Sequence, residues 1–196
     1  MPYRGSMRIV NRRLLAGCAT ALVATLALAG CVPTPTPTPS TSAATDAPVF
    51  ASDEEALAAA TEAYAAYQAM SDLILAEGGA NPDRIRDVAS ESFASSEIES
   101  FNQAMSSGLH STGLSTFDKV SIQAIANSSV DSIGVVTVYL FYDVSRIDIL
   151  NSTGDSVVSE SRPDRTPFEV TFDIQSTESR GLVVGSRSVW TGGRVC

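Results

Sequence analysis

The sequence predicts an α+β domain in which helices come first and an antiparallel sheet follows. Two observations carry this reading. Apolar residues recur at spacings of three and four from Leu57 to about Ser107, and from Phe117 the period switches to two. Runs of helix followed by runs of strand define the α+β class, and residues 52–196 have the length of one domain with one core.

The first helix starts at Ser52-Asp53-Glu54-Glu55, a capping-box pattern with acidic residues where the helix dipole favours them. Leu57, Ala60, Tyr64, Tyr67, Met70 and Ile74 then give one apolar face, and Gly78-Gly79 supplies the stop. Asn81-Pro82-Asp83 predicts a second helix, with Asn as cap and Pro in the first turn, burying Ile85, Val88 and Ala89. A third, over Ser90 to Ser107, places Phe93, Glu97, Phe101 and Met105 four apart. Residues 108–116, rich in Gly, Ser and Thr, read as a loop.

In the second half, Val120, Ile122, Ala124 and Ala126 alternate with polar partners. Ile133 to Tyr142 is apolar on both sides, as a central strand should be. Turn signals at Asp143, Asn151 to Asp155 and Arg162 to Arg165 separate it from Phe168, Val170, Phe172 and Ile174, which alternate with Glu169, Thr171 and Asp173. Leu182 to Trp190 closes the set.

The N-terminal part has a different composition. Arg4, Arg8, Arg12 and Arg13 precede Leu14 to Gly30, an uncharged run that suits a signal h-region and is short for a bilayer span of about 20 residues. The run ends in Leu28-Ala29-Gly30-Cys31. This order resembles the lipobox of bacterial lipoproteins, which implies cleavage between Gly30 and Cys31 and a diacylglyceryl group on the Cys31 sulfur. Two acyl chains anchor stably where one is marginal. An identical tetrapeptide, Leu15-Ala16-Gly17-Cys18, has no apolar run before it, and cleavage there would leave the hydrophobic segment on the mature chain.

From Val32 to Ser42 proline occupies alternate positions up to Pro39, locking φ and removing amide donors, so residues 31–51 are expected to be a disordered, extended spacer. All 22 acidic residues follow Cys31, against nine of the 13 basic ones, leaving −13 over residues 31–196. Such a surface repels nucleic acid and anionic headgroups. The expected membrane contact is therefore the N-terminal lipid, on the extracytoplasmic side.

The long helix with Tyr64 and Tyr67 ending in Gly78-Gly79, the Asn81-Pro82 restart, Asp143-Val144-Ser145, the Arg162-Pro163-Asp164-Arg165-Thr166-Pro167 turn, and Trp190-Thr191-Gly192 with Cys196 carry a further likeness. Together they resemble small actinobacterial lipoproteins with a nuclear-transport-factor-2-like domain. The resemblance implies a cone, in which helices pack on a curved sheet, and no particular activity. Relatives often carry a Cys two positions before the Asp of Asp-Val-Ser, which would staple the C-terminus; here that position is Phe141. With Cys18 removed and Cys31 lipidated, Cys196 is expected to be the one free thiol of the mature protein. The cone also implies a cavity, lined here by Tyr64, Tyr67, Phe93, Phe101, Tyr139, Phe172 and Trp190, although plain core explains aromatic residues at these spacings more simply.

The inventory for catalysis is thin. His110 is the single histidine, its neighbour Ser111 lies in no Gly-x-Ser-x-Gly elbow, and a solvated loop histidine is the simpler reading. One histidine and no Cys pair give no zinc spacing, and turn duties account for Asp143, Asp148 and Asp155. No catalytic residue, metal or cofactor is expected. Two functional classes follow. One is a non-enzymatic binding or accessory module of the cell envelope, taking a small apolar ligand or another envelope protein. The alternative is a small isomerase or hydrolase with an acid/base in the cone cavity.

Overall fold

The computed structural model describes residues 49–126, 133–175 and 181–192. The signal run, Cys18, Cys31, the Pro/Thr spacer to residue 48 and Cys196 lie outside these residues. The compact unit holding the described residues is an α+β domain in which helices pack against antiparallel sheets. Its first helix, α1, runs Asp53–Ala76. The Ser52 hydroxyl accepts from the Glu55 amide at 3.2 Å, and the Glu55 carboxylate accepts from the Ala51 amide at 2.7 Å. The reciprocal half of the box thus lands one residue earlier than the motif prescribes.

Helix α1 ends where the glycines stand. The Gly79 amide donates to the Ile74 carbonyl at 2.8 Å, and Gly78 and Gly79 have φ of 68° and 82°. Gly79 is required for a second reason: a Cβ there would sit 2.2 Å from the Phe101 carbonyl oxygen of the neighbouring helix. The expected second helix is a 3₁₀ segment, Pro82–Asp87. Asn81 does not cap it; the residue adopts the left-handed region at φ 50° and makes no side-chain cap bond. Burial of Ile85 and Ala89 holds the segment in place. Helix α2 runs Glu91–Ser106 and buries Ala94 and Phe101, while Met105 is half exposed.

The expected loop at 108–116 contains a short strand. β1, His110–Thr112, pairs antiparallel with β4, Asp148–Leu150. Gly113 makes the turn out of β1, with φ 82° and room for no Cβ beside the Arg146 carbonyl. The main sheet has four antiparallel strands in the order β2 (Thr116–Ile125), β3 (Val136–Asp143), β5 (Arg165–Ile174), β6 (Leu182–Val189). β3 is central and carries the apolar run as expected. In β2 the strict alternation fails. Register shifts between Asp118 and Ser121 and between Ile122 and Ala124 add residues to one side, so Ile125 packs on the core while Ala124 is exposed.

One face of the sheet and the buried stripe of α1 make the core. Val136, Val138 and Leu140 of β3, Val170 and Phe172 of β5 and Val184 of β6 meet Ala56, Ala60, Tyr64, Tyr67 and Ile74, all at most 1% exposed. Ser90 ties the second helical region to the sheet, its amide donating to the Val184 carbonyl at 2.8 Å. Among the described residues no helix is long and apolar enough to cross a membrane.

Candidate functional site

The cone resemblance puts seven aromatic residues along one cavity, with plain core as the simpler reading, and the sheet divides them. Tyr64, Tyr67 and Phe172 are fully buried on the helix-facing side, Phe101 is nearly so, and Phe93 is half-buried with its ring 5.6 Å from that of Tyr67. Tyr139 alternates with the buried Val138 and Leu140, so its side chain lies on the opposite face. There it packs on Trp190 with ring centroids 4.5 Å apart. The two groups therefore cannot share a pocket.

The two tyrosines of the helix-facing group stand beside a residue that the sequence did not single out. Arg187 sits across from Val170 in the β5–β6 register, and its side chain enters the core side of the sheet. Its guanidinium carbon lies 5.0 Å from the Phe168 ring centroid, 5.4 Å from that of Tyr142 and 5.5 Å from that of Tyr67. A cation over several ring faces is held by their quadrupoles, more strongly where water is excluded. Burial by itself lowers the Arg187 pKa, but Tyr67, Tyr64 and Glu97 outweigh it and hold the group above its ordinary value. The guanidinium stays charged throughout the range in which the protein is folded.

The two tyrosines have different partners. The Tyr67 hydroxyl donates to Glu97 Oε2 at 2.6 Å, a short charge-assisted bond from α1 to α2. The Tyr64 hydroxyl is buried beside the Arg187 guanidinium, in a contact that falls short of good hydrogen-bond geometry, and its ring meets Phe117 edge-on at 4.8 Å. Arg187 acts on it through charge and through this hydrogen-bonding contact. Burial pushes the Tyr64 phenol up to about 12 and the Tyr67 phenol higher still, with Arg187 opposing both shifts and Glu97 adding to them.

A second polar group lies one helical step round α1. Gln68 and Asp72 are each 7% exposed, although polar residues amid alanines in an amphipathic helix read from sequence as solvent-facing. Both turn to Ser115, 6% exposed, in the connection from β1 to β2. The Ser115 amide donates to Asp72 Oδ2 at 3.0 Å and its hydroxyl to the same carboxylate at 2.8 Å, while Gln68 Nε2 donates to the Ser115 oxygen at 2.8 Å. Gln68 Oε1 is buried without a partner. These side chains, with Ala65, Ala69, Leu114 and Phe117, line a pocket of about 330 Å³.

The other residues considered from sequence fall apart. His110 and Ser111 are successive residues of β1, so their side chains point to opposite sides of the strand. Asp143 accepts from the amide and hydroxyl of Ser145, and Asp148 accepts from the Ser156 hydroxyl. Asp155 accepts from Thr153, whose own turn is closed by Asn151. These are turn duties. Glu169 pairs in register with Ser188 on the face of Tyr139, and Asp173 accepts from the Gly134 amide at 2.7 Å. Among the described residues no three His, Cys, Asp or Glu side chains come together as a metal-binding group. No protein-family model matches the sequence, and neither does any curated protein.

Proposed function

We propose that the chain is a lipid-anchored, extracytoplasmic lipoprotein whose domain, a nuclear-transport-factor-2-like cone, serves the cell envelope as a non-enzymatic binding or accessory module. The basic n-region, the apolar run ending in Leu28-Ala29-Gly30-Cys31 and the Pro/Thr spacer support the anchor. The observation that carries the binding role is the pocket beside α1, lined by Gln68 and Asp72 and backed by a buried, unpartnered acceptor. Buried polar groups without partners are uncommon and ask for an explanation, and a ligand supplies one.

A second reading, a small isomerase or hydrolase, draws on the 2.6 Å contact between Tyr67 and Glu97 near Arg187. General acid/base work needs a group that substrate can reach. Tyr67 is 1% exposed and Tyr64 fully buried, which favours the binding role.

Intact-mass measurement on protein from a membrane fraction tests the anchor, with Cys31→Ala as control. The expected mature chain begins at residue 31 and carries acyl mass, and the variant loses both the mass and the membrane association. A chain beginning elsewhere, or without acyl mass, contradicts the proposal.

A further inference from the structure

We infer that the pocket between α1 and the β1–β2 connection is a site for an alkylammonium group, the chemistry of a lysine side chain or of a small free amine. The inference rests on the binding-module reading and names what that module takes. Its basis is the protonation logic of three side chains. Ser115 has a single hydroxyl proton, and the Asp72 carboxylate takes it. Ser115 can therefore only accept from Gln68, which fixes the amide with its nitrogen toward Ser115 and Oε1 as the free atom. Exchanging amide oxygen and nitrogen would set two acceptors against one proton.

The polar side of the pocket thus holds acceptors, the Asp72 carboxylate at its wall and the Gln68 oxygen just behind it. Gln68 Oε1 has no donor, and Asp72, 7% exposed, is bonded only by the amide and hydroxyl of Ser115. Among the described residues no Lys, Arg or His nitrogen forms an ion pair with Asp72, whereas Glu77, Asp83, Glu91 and Asp118 all have an arginine partner. A sheltered carboxylate lacking a cation, beside an amide oxygen lacking a donor, complements a group with several N–H donors and a positive charge. The remaining wall is apolar, with Ala65, Ala69, Leu114 and Phe117, which suits the methylene stem that carries an ammonium. An anion would meet acceptors only, and a plain hydrocarbon would leave them unpaired.

The Gln68 oxygen lies behind the wall, so a ligand reaches it as a wall side chain turns aside.

The test is a titration of the full-length chain in zwitterionic detergent, followed by the side-chain amide NMR signal of Gln68. The probes are n-butylammonium, 1-butanol and butyrate, with N-acetyl-lysine methylamide as the peptide-borne form. Saturable movement of the Gln68 signal is expected with n-butylammonium, with 1-butanol about tenfold weaker or more and butyrate without effect. Tighter binding of the lysine derivative than of n-butylammonium would place the amine on a peptide, and the reverse order would favour a free amine. Gln68→Met, close to Gln in volume, is expected to weaken n-butylammonium about tenfold with the fold retained by circular dichroism. The three-probe comparison on the unaltered chain needs no variant, so it decides even if Gln68→Met does not fold. Equal binding of 1-butanol and n-butylammonium, unchanged affinity in folded Gln68→Met, or no response to any amine overturns the assignment. The acyl mass on residue 31 is a separate measurement, so failure here is distinguishable from failure of the anchor.

Discussion

Helix α1 has polar groups on two of its sides, and their treatment differs. On the side facing the main sheet, Arg187 lies over the rings of Phe168, Tyr142 and Tyr67, and Tyr67 is in turn bonded to Glu97. On the side facing the β1–β2 connection, Asp72 has hydroxyl and amide partners but no cation, and Gln68 keeps a free acceptor beside an open pocket. In the first arrangement the cation is matched by the chain's own aromatic residues. The second is complete only for the fold and leaves chemistry over for something else. A charged residue on the core side of a sheet is not by itself a site; what matters is whether the chain has already matched it.

The largest expected effect breaks the matched side. Phe172→Ala removes a fully buried ring beneath the helix and is expected to cost about 3–5 kcal/mol in denaturant unfolding. On the open side, Asp72→Ala leaves the Ser115 amide and hydroxyl buried without their acceptor, for an expected loss of about 1–3 kcal/mol by the same measurement. A loss as large as that of Phe172→Ala would mean that the second group is as much a core element as the first.

Two conservative substitutions sharpen the contrast within the matched side. Tyr67→Phe removes the donor that satisfies Glu97 and is expected to cost about 1–2 kcal/mol. Tyr64→Phe removes a buried hydroxyl whose contact with Arg187 falls short of good hydrogen-bond geometry, so it is expected to change stability by less than about 1 kcal/mol. Equal losses in the two variants would show that the Tyr64–Arg187 contact is worth as much as the Tyr67–Glu97 bond.

Much of the fold was legible because it rests on period. The capped start of α1, its Gly-Gly stop, the central strand and the alternating face of β5 all follow from residue spacing. What was missed depends on contacts distant in sequence. β1 exists because β4 pairs with it 38 residues further on, a partner that the Gly/Ser-rich composition of 108–116 does not announce. Ala124 lost its expected place to Ile125 through a bulge. Nor could spacing show that Tyr139 and Trp190 lie across the sheet from Tyr64 and Tyr67, because the side that a strand presents to a helix is set by register.

The candidate site was less legible still. The tyrosines were read from the sequence, whereas Arg187 stands among Ser186 and Ser188 in a pattern that looks like a solvated strand face. Its inward side chain is explained by Val170, its buried register partner. Gln68 and Asp72 carried one weak signal: they continue the i, i+4 series from Tyr64, which a strictly apolar search passes over.

The central claim is that the charge of Arg187 is matched within the chain, beside the fully buried Tyr64 and Tyr67, leaving recognition to the other side of α1. Ultraviolet titration of the tyrosines tests it most directly, with Tyr64→Phe and Tyr67→Phe to assign the steps. A phenol whose pKa is raised in the folded state adds stability that is fully present below the unfolded value of 10.0. For Tyr64 that stability is lost as pH rises to about 12. The expected result is that Tyr64 and Tyr67 remain protonated past pH 10 and ionise only as circular dichroism reports loss of the fold. Reversible ionisation of both near pH 10, with the fold intact, would show an interior open to water and contradict the account.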